Sequence, residues 1–167
     1  MALVNADVRP PMKILSTVWV YLAALIALAG VVIHVGALFA GASWFVFFRA
    51  PPSVIASARQ GTWLAPVGGL VIAGLMGTCA FYAASVVGVV PRPPLQRLGL
   101  AIMATVCIVR ALLLPVLAVP HPELRNTFEI VAAVIWFLAG VGFAVGFRIT
   151  RAGSNDSFKP NPLRYVK

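Results

Sequence analysis

Residues 14–39 read ILSTVWVYLAALIALAGVVIHVGALF, 26 residues with no Asp, Glu, Lys or Arg. A helix crossing the roughly 30 Å hydrocarbon core of a bilayer needs about 20 predominantly apolar residues. This stretch exceeds that length. It is also too long for the apolar part of a cleaved secretory signal, about 7–15 residues. Backbone polar groups inside lipid must be satisfied within their own segment, which leaves helix as the conformation.

Three further runs follow: about Trp63 to Val90, Leu98 to Val119 with Arg110 inside it, and about Phe128 to Phe147. Of the 167 residues, 61% are hydrophobic and 10% charged, and the mean hydropathy is +0.98. Soluble domains carry roughly 25% charged residues, so a water-soluble enzyme or transcription factor is excluded. Disorder is excluded as well, because disordered chains are poor in apolar residues. The expectation is an all-α integral membrane four-helix bundle of antiparallel up-down topology. Its helices fall at about 14–39, 63–90, 98–119 and 122–149. Residues 14–150 then form the single transmembrane domain, with 1–13 and a basic tail, 151–167, as flanking segments.

The net charge of +9 points to membrane topology rather than nucleic acid, because the basic residues sit at the ends of the apolar runs. Arg9, Lys13, Arg92, Arg97, Arg148, Arg151, Lys159, Arg164 and Lys167 share one side, against Arg49, Arg59 and Arg125 on the other. By the positive-inside rule both termini are expected in the cytoplasm. The long connection carries Trp44, Phe45, Phe47 and Phe48, residues that favour the headgroup level. Pro51-Pro52 then breaks the helix, and Ser53 to Gln60 reads as a short interfacial helix stopped by Gly61.

Small residues recur at four-residue spacing: Gly69, Ala73 and Gly77 on the second helix, Gly142 and Gly146 on the fourth. Such stripes let helix backbones approach closely in lipid. They serve either the bundle itself or a homodimer seam.

Two stretches carry a resemblance. One is Phe47-Phe48-Arg49-Ala50-Pro51-Pro52 with Gln60-Gly61-Thr62-Trp63-Leu64-Ala65-Pro66. The other is Pro94-Leu95-Gln96-Arg97-Leu98-Gly99-Leu100 leading to Val109-Arg110-Ala111-Leu112-Leu113-Leu114-Pro115. Together they resemble a set of small four-helix bacterial inner-membrane proteins of unassigned function. Where that family often has Tyr and Leu before the arginine and Gly after it, this chain has Cys107, Ile108 and Ala111. The resemblance implies a four-helix fold in a bacterial inner membrane, and no reaction.

Ionisable residues within a span are functional candidates. Counting from the inner charges, Lys13 to His34 is about 31 Å, Arg148 to Glu129 about 28 Å and Arg97 to Arg110 about 20 Å, at 1.5 Å per residue. His34 and Glu129 therefore fall near the outer boundary, and Arg110 lies deeper with a side chain long enough to reach towards them. A guanidinium stays charged, so Arg110 is expected to pair with Glu129 or to bind an anionic ligand. A competing pairing joins Arg125 to Glu129 at i,i+4. The candidate ligand-binding set is Arg110, Glu129 and His34, rimmed by Trp44, Arg49 and Trp63.

No catalytic residues, metal or cofactor are expected. Cys79 and Cys107 lack metal-ligand spacing, and His34 lacks an axial partner for haem. The functional expectation is a non-enzymatic module that binds a lipid, an apolar small molecule, a membrane-protein partner or a second copy. A small dimeric transporter is the first alternative, weakened by a first helix without a carboxylate. A membrane enzyme using His34, Glu129 and Arg110 for isomerisation or proton transfer is the second.

Overall fold

The structure is a computed structural model that describes residues 11–156, with side chains over 14–152. Among these residues it is helical with no strand: α1 (Pro11–Ala40), α2 (Ala42–Phe47), α3 (Pro52–Gln60), α4 (Leu64–Val86), α5 (Gln96–Leu117), a single 3₁₀ turn (Pro122–Leu124) and α6 (Thr127–Asp156). Residues 1–10 and 157–167, and with them most of both flanking segments, lie outside the described residues. The four long helices each carry a stretch long and apolar enough to span a bilayer, beginning with Ile14–Ala40.

Local chemistry sets the helix ends. Gly41, at φ +78°, separates α1 from α2. Pro52 opens α3 at a position where its missing N–H costs nothing. Gly61, at φ +67°, closes α3 in the left-handed conformation. The second helix stops at Val86 rather than near Val90. Its last turn is closed by Val89 N–H donating to Ala84 O at 3.1 Å, with Gly88 at φ +79° between them.

The last helix begins at Thr127, not near residue 122 as expected. The Asn126 side chain accepts from Glu129 N–H at 3.1 Å, a cap at the start of the helix. This helix also runs on to Asp156, past the expected end near residue 149. Pro115 lies inside α5, where it removes the backbone hydrogen bond to Ala111.

In the bundle α1 packs against α4 and α6, and α6 packs against α5. By contrast, α4 and α5 touch little although nine residues join them. Their contact lies near the shared connection, where Gly99 meets the Tyr82 ring. There Gln96 Nε2 also donates to Ser85 Oγ at 2.7 Å, and Tyr82 OH donates to Pro94 O at 3.1 Å.

The core is made of small side chains. Ala23, Ala24, Ala83, Ala104 and Ala139 surround Val20, Leu100 and Phe143. Large apolar side chains such as Val32, Phe39 and Val116 point outward. That distribution suits lipid, which solvates apolar side chains as well as a core does, so association depends on close backbone approach. Gly142 of α6 lies on the Trp19 carbonyl of α1, and Gly140 lies against Ile108 of α5. On α4, Gly69 faces Leu38 and the His34 carbonyl, and Gly77 faces Val31.

Candidate functional site

Because α4 and α5 diverge from their shared end, they leave a cleft floored by α1 and α6. Its volume is about 300 Å³, at the lower end of the 300–1,000 Å³ typical of ligand pockets. Ile26 and Gly30 of α1, Met76 and Cys79 of α4, Cys107 of α5 and Trp136 of α6 contribute to its walls, which are almost wholly apolar. Both cysteines are free thiols. His34 stands at the rim.

His34 is half-buried, and its Nδ1 lies 2.8 Å from Gly30 O one turn below. A carbonyl only accepts, so Nδ1 carries the proton in that bond. Nε2 is then the free position of the ring, an acceptor when the ring is neutral and a donor when it is charged.

A second cavity of about 270 Å³ adjoins the cleft on the other side of His34. Ile33 and His34 line both. Its remaining wall comes from the segment after α1, through Trp44, Phe48 and Arg49, and from α4 through Gly68 and Gly69. Trp44 and Phe48 pack with tilted rings, their centroids 5.3 Å apart. Phe48 reaches Phe128 at the start of α6, at 6.3 Å. These contacts hold the segment over the end of the bundle. Ser57 fixes its far side: Oγ donates to Thr62 O at 3.1 Å and accepts from Ala65 N–H at 2.9 Å.

Of the six candidate residues, the structure gathers His34, Trp44 and Arg49 around this second cavity. It leaves the other three outside both cavities. Trp63 is 70% exposed just before α4. Arg110 is exposed on α5 and makes no side-chain hydrogen bond or ion pair among the described residues. The Arg110–Glu129 pair is not formed. Glu129 sits in the first turn of α6, where a carboxylate is favoured by the helix dipole.

The Arg125–Glu129 pair is not formed either. Arg125 precedes α6, so no helical i,i+4 relation exists. Its Nε donates instead to Ala118 O at 2.8 Å, satisfying a free carbonyl at the end of α5. Among the described residues one contact has ion-pair geometry, His121 Nδ1 to Glu123 Oε1 at 3.1 Å. No group of three or more His, Cys, Asp or Glu able to hold a metal is found among them.

Residue-by-residue reading missed the cleft. Met76, Cys79, Cys107 and Trp136 are ordinary apolar residues in ordinary apolar runs. Only the divergence of α4 from α5 puts them around one space. Comparison with protein-family models, with curated proteins and with solved structures gives no match.

Proposed function

We propose that the chain is a small multi-pass membrane protein, non-enzymatic, that binds a lipid or other apolar molecule in the cleft between α4 and α5. The cleft itself carries the reading. It is large enough for part of a ligand, it is apolar, and it lies at the depth of the spans rather than outside them. A space of this kind within a bilayer is filled by an apolar guest, since water gains no partners there.

The contacts of α4 with α1 support an antiparallel, up-and-down path. Going from Gly69 to Gly77, the facing residues fall from Leu38 to Val31. The nine-to-three distribution of Lys and Arg favours cytoplasmic termini, and the family resemblance favours a bacterial inner membrane. On that path α3 lies at the outer interface, with Trp63 at headgroup level.

The reading is tested by filling the cleft. Ala29 lines it yet is exposed rather than part of the core, so Ala29→Phe occupies the space without disturbing the bundle. Native mass spectrometry of the full chain released from lipid nanodiscs should show a discrete apolar adduct on wild type. The adduct should be absent from an Ala29→Phe protein of unchanged circular dichroism. Equal adducts on both overturn the assignment.

A second reading is favoured by Arg110. A guanidinium exposed on a spanning helix and unpaired among the described residues suits a contact with a membrane-protein partner or a second copy, whose carboxylate would neutralise it. The enzymatic alternative loses its basis, because neither Glu129 nor Arg110 joins His34 at either cavity. Among the described residues no carboxylate lies at mid-span for transport to rest on.

A further inference from the structure

We propose that the molecule held by the protein is an amphiphile with an anionic headgroup, its tail in the cleft and its head on Arg49 beside His34 and Trp44. This rests on the reading of the cleft as a binding site and adds the ligand's chemical class.

The first support is the adjacency of the two cavities. They share Ile33 and His34, so no more than a layer of side chains separates an apolar space from one walled by Arg49, Trp44 and His34. The second is their depth. The span in α1 ends at Ala40. Arg49 lies beyond that end, and His34 is six residues inside it, about 9 Å. The cleft continues to Ile26, 14 residues inside, about 21 Å. An apolar space running from mid-span up to a second, mostly apolar cavity whose wall includes Arg49 and His34 matches a chain with a headgroup.

The third support is charge. The second cavity has no Asp or Glu in its wall. The Arg49 side chain has no hydrogen bond or ion pair among the described residues, so its fork of donors is open to a phosphate or carboxylate. The indole Nε1 of Trp44 is buried with no acceptor. The Arg49 guanidinium, an uncompensated cation in the wall of this cavity, describes a place for an oxyanion.

The fourth is backbone conformation. Arg49 has φ +53°, in the left-handed region that L residues other than Asn and Asp seldom adopt. The turn is held by Arg49 N–H to Val46 O at 3.0 Å and Ala50 N–H to Phe45 O at 2.9 Å. Glycine is the residue such a position favours. Arg49 holds that conformation in the wall of a cavity.

The experiment uses three probes with one tail and different heads: hexadecyl phosphate, hexadecanol and hexadecyltrimethylammonium. Each is doped at equal fraction into phosphatidylcholine nanodiscs holding the full chain, and the retained adduct is read by native mass spectrometry. On wild type, hexadecyl phosphate should be retained about tenfold more than hexadecanol, the scale of a charged hydrogen bond. The ammonium should be retained least.

Arg49→Gln should bring hexadecyl phosphate down to the hexadecanol level while hexadecanol is still held, which shows that the variant is folded. Arg59→Gln should keep the preference. Excess inorganic phosphate should not displace hexadecyl phosphate. Equal retention of all three probes on wild type, lost in Ala29→Phe, overturns the headgroup inference and leaves the cleft reading standing. Displacement by inorganic phosphate overturns the amphiphile in favour of a free-anion site. Retention of no probe overturns both readings.

Discussion

Gly142 of α6 rests on the backbone carbonyl oxygen of Trp19 in α1, and a Cβ at that position would also meet the Ala23 side chain at 2.6 Å. The obstruction is backbone, which cannot turn aside as a flexible side chain can. Gly142→Ala must therefore push α1 and α6 apart, with an expected loss of about 1–3 kcal/mol, the usual cost of overpacking. Gly77 is the internal comparison, because its nearest neighbour, Val31 Cγ2, lies at an ordinary 3.8 Å. Gly77→Ala should be neutral or stabilising by about 0.5–1 kcal/mol through reduced chain entropy. Thermal unfolding of the two variants in one detergent separates them. Equal behaviour would mean that α1 and α6 are not in backbone contact.

Ser85 is 2% exposed, donating to Tyr82 O and accepting from Gln96 Nε2, both at 2.7 Å. It joins the end of α4 to the start of α5, where those helices touch. Ser85→Ala leaves the Gln96 amide without its acceptor, and the expected loss is about 1–3 kcal/mol. Ser85→Ala combined with Gln96→Leu should recover part of it, since removing both partners leaves no buried polar group unmet. A double variant as unstable as the sum of the singles would show that the hydrogen bond is not the source of the loss.

The positions of the four long helices were legible because membrane spans announce themselves over 20 or more residues, and local rules suffice to find them. Their ends were harder. Pro122 looks like a helix start, but the chain makes one 3₁₀ turn there and begins α6 only after Asn126. That short displacement decided the electrostatics. An Arg125–Glu129 pair presumed a helix through residue 125, and once α6 starts at Thr127 the arginine is free to close α5. The brief helix α2 had no capping or periodic signal to mark it. His34, Trp44 and Arg49 were legible as polar or aromatic residues near a boundary. Their gathering round one cavity, and the exclusion of Arg110, depend on which face of each helix meets which neighbour, a long-range property.

The proposed inward and outward sides of the bundle rest on charge. A reporter fused after residue 153 should give a cytoplasmic signal, and one fused after residue 45 an external signal. The expectation rests on nine Lys and Arg on one side against three on the other. A cytoplasmic signal at residue 45 would invert the topology and place the cavity beside Arg49 at the inner leaflet.

Arg110 offers the sharpest test of how the bundle meets its surroundings. It is exposed on α5 with no side-chain partner among the described residues, and exposed Val106 and Val109 precede it. If lipid alone faces this surface, replacing the charge removes a burden of about 2.5–3.5 kcal/mol for arginine at a helix centre, reduced by any snorkelling. Arg110→Leu should then raise the thermal midpoint in nanodiscs and leave the particle mass unchanged. If a second copy supplies a carboxylate, the same substitution should instead lower the midpoint and convert dimer to monomer. Light scattering beside the melting curve reads both quantities on one sample. A bound partner leaves a buried charge to be compensated, whereas lipid leaves one to be lost, so the two cases differ in the sign of the effect.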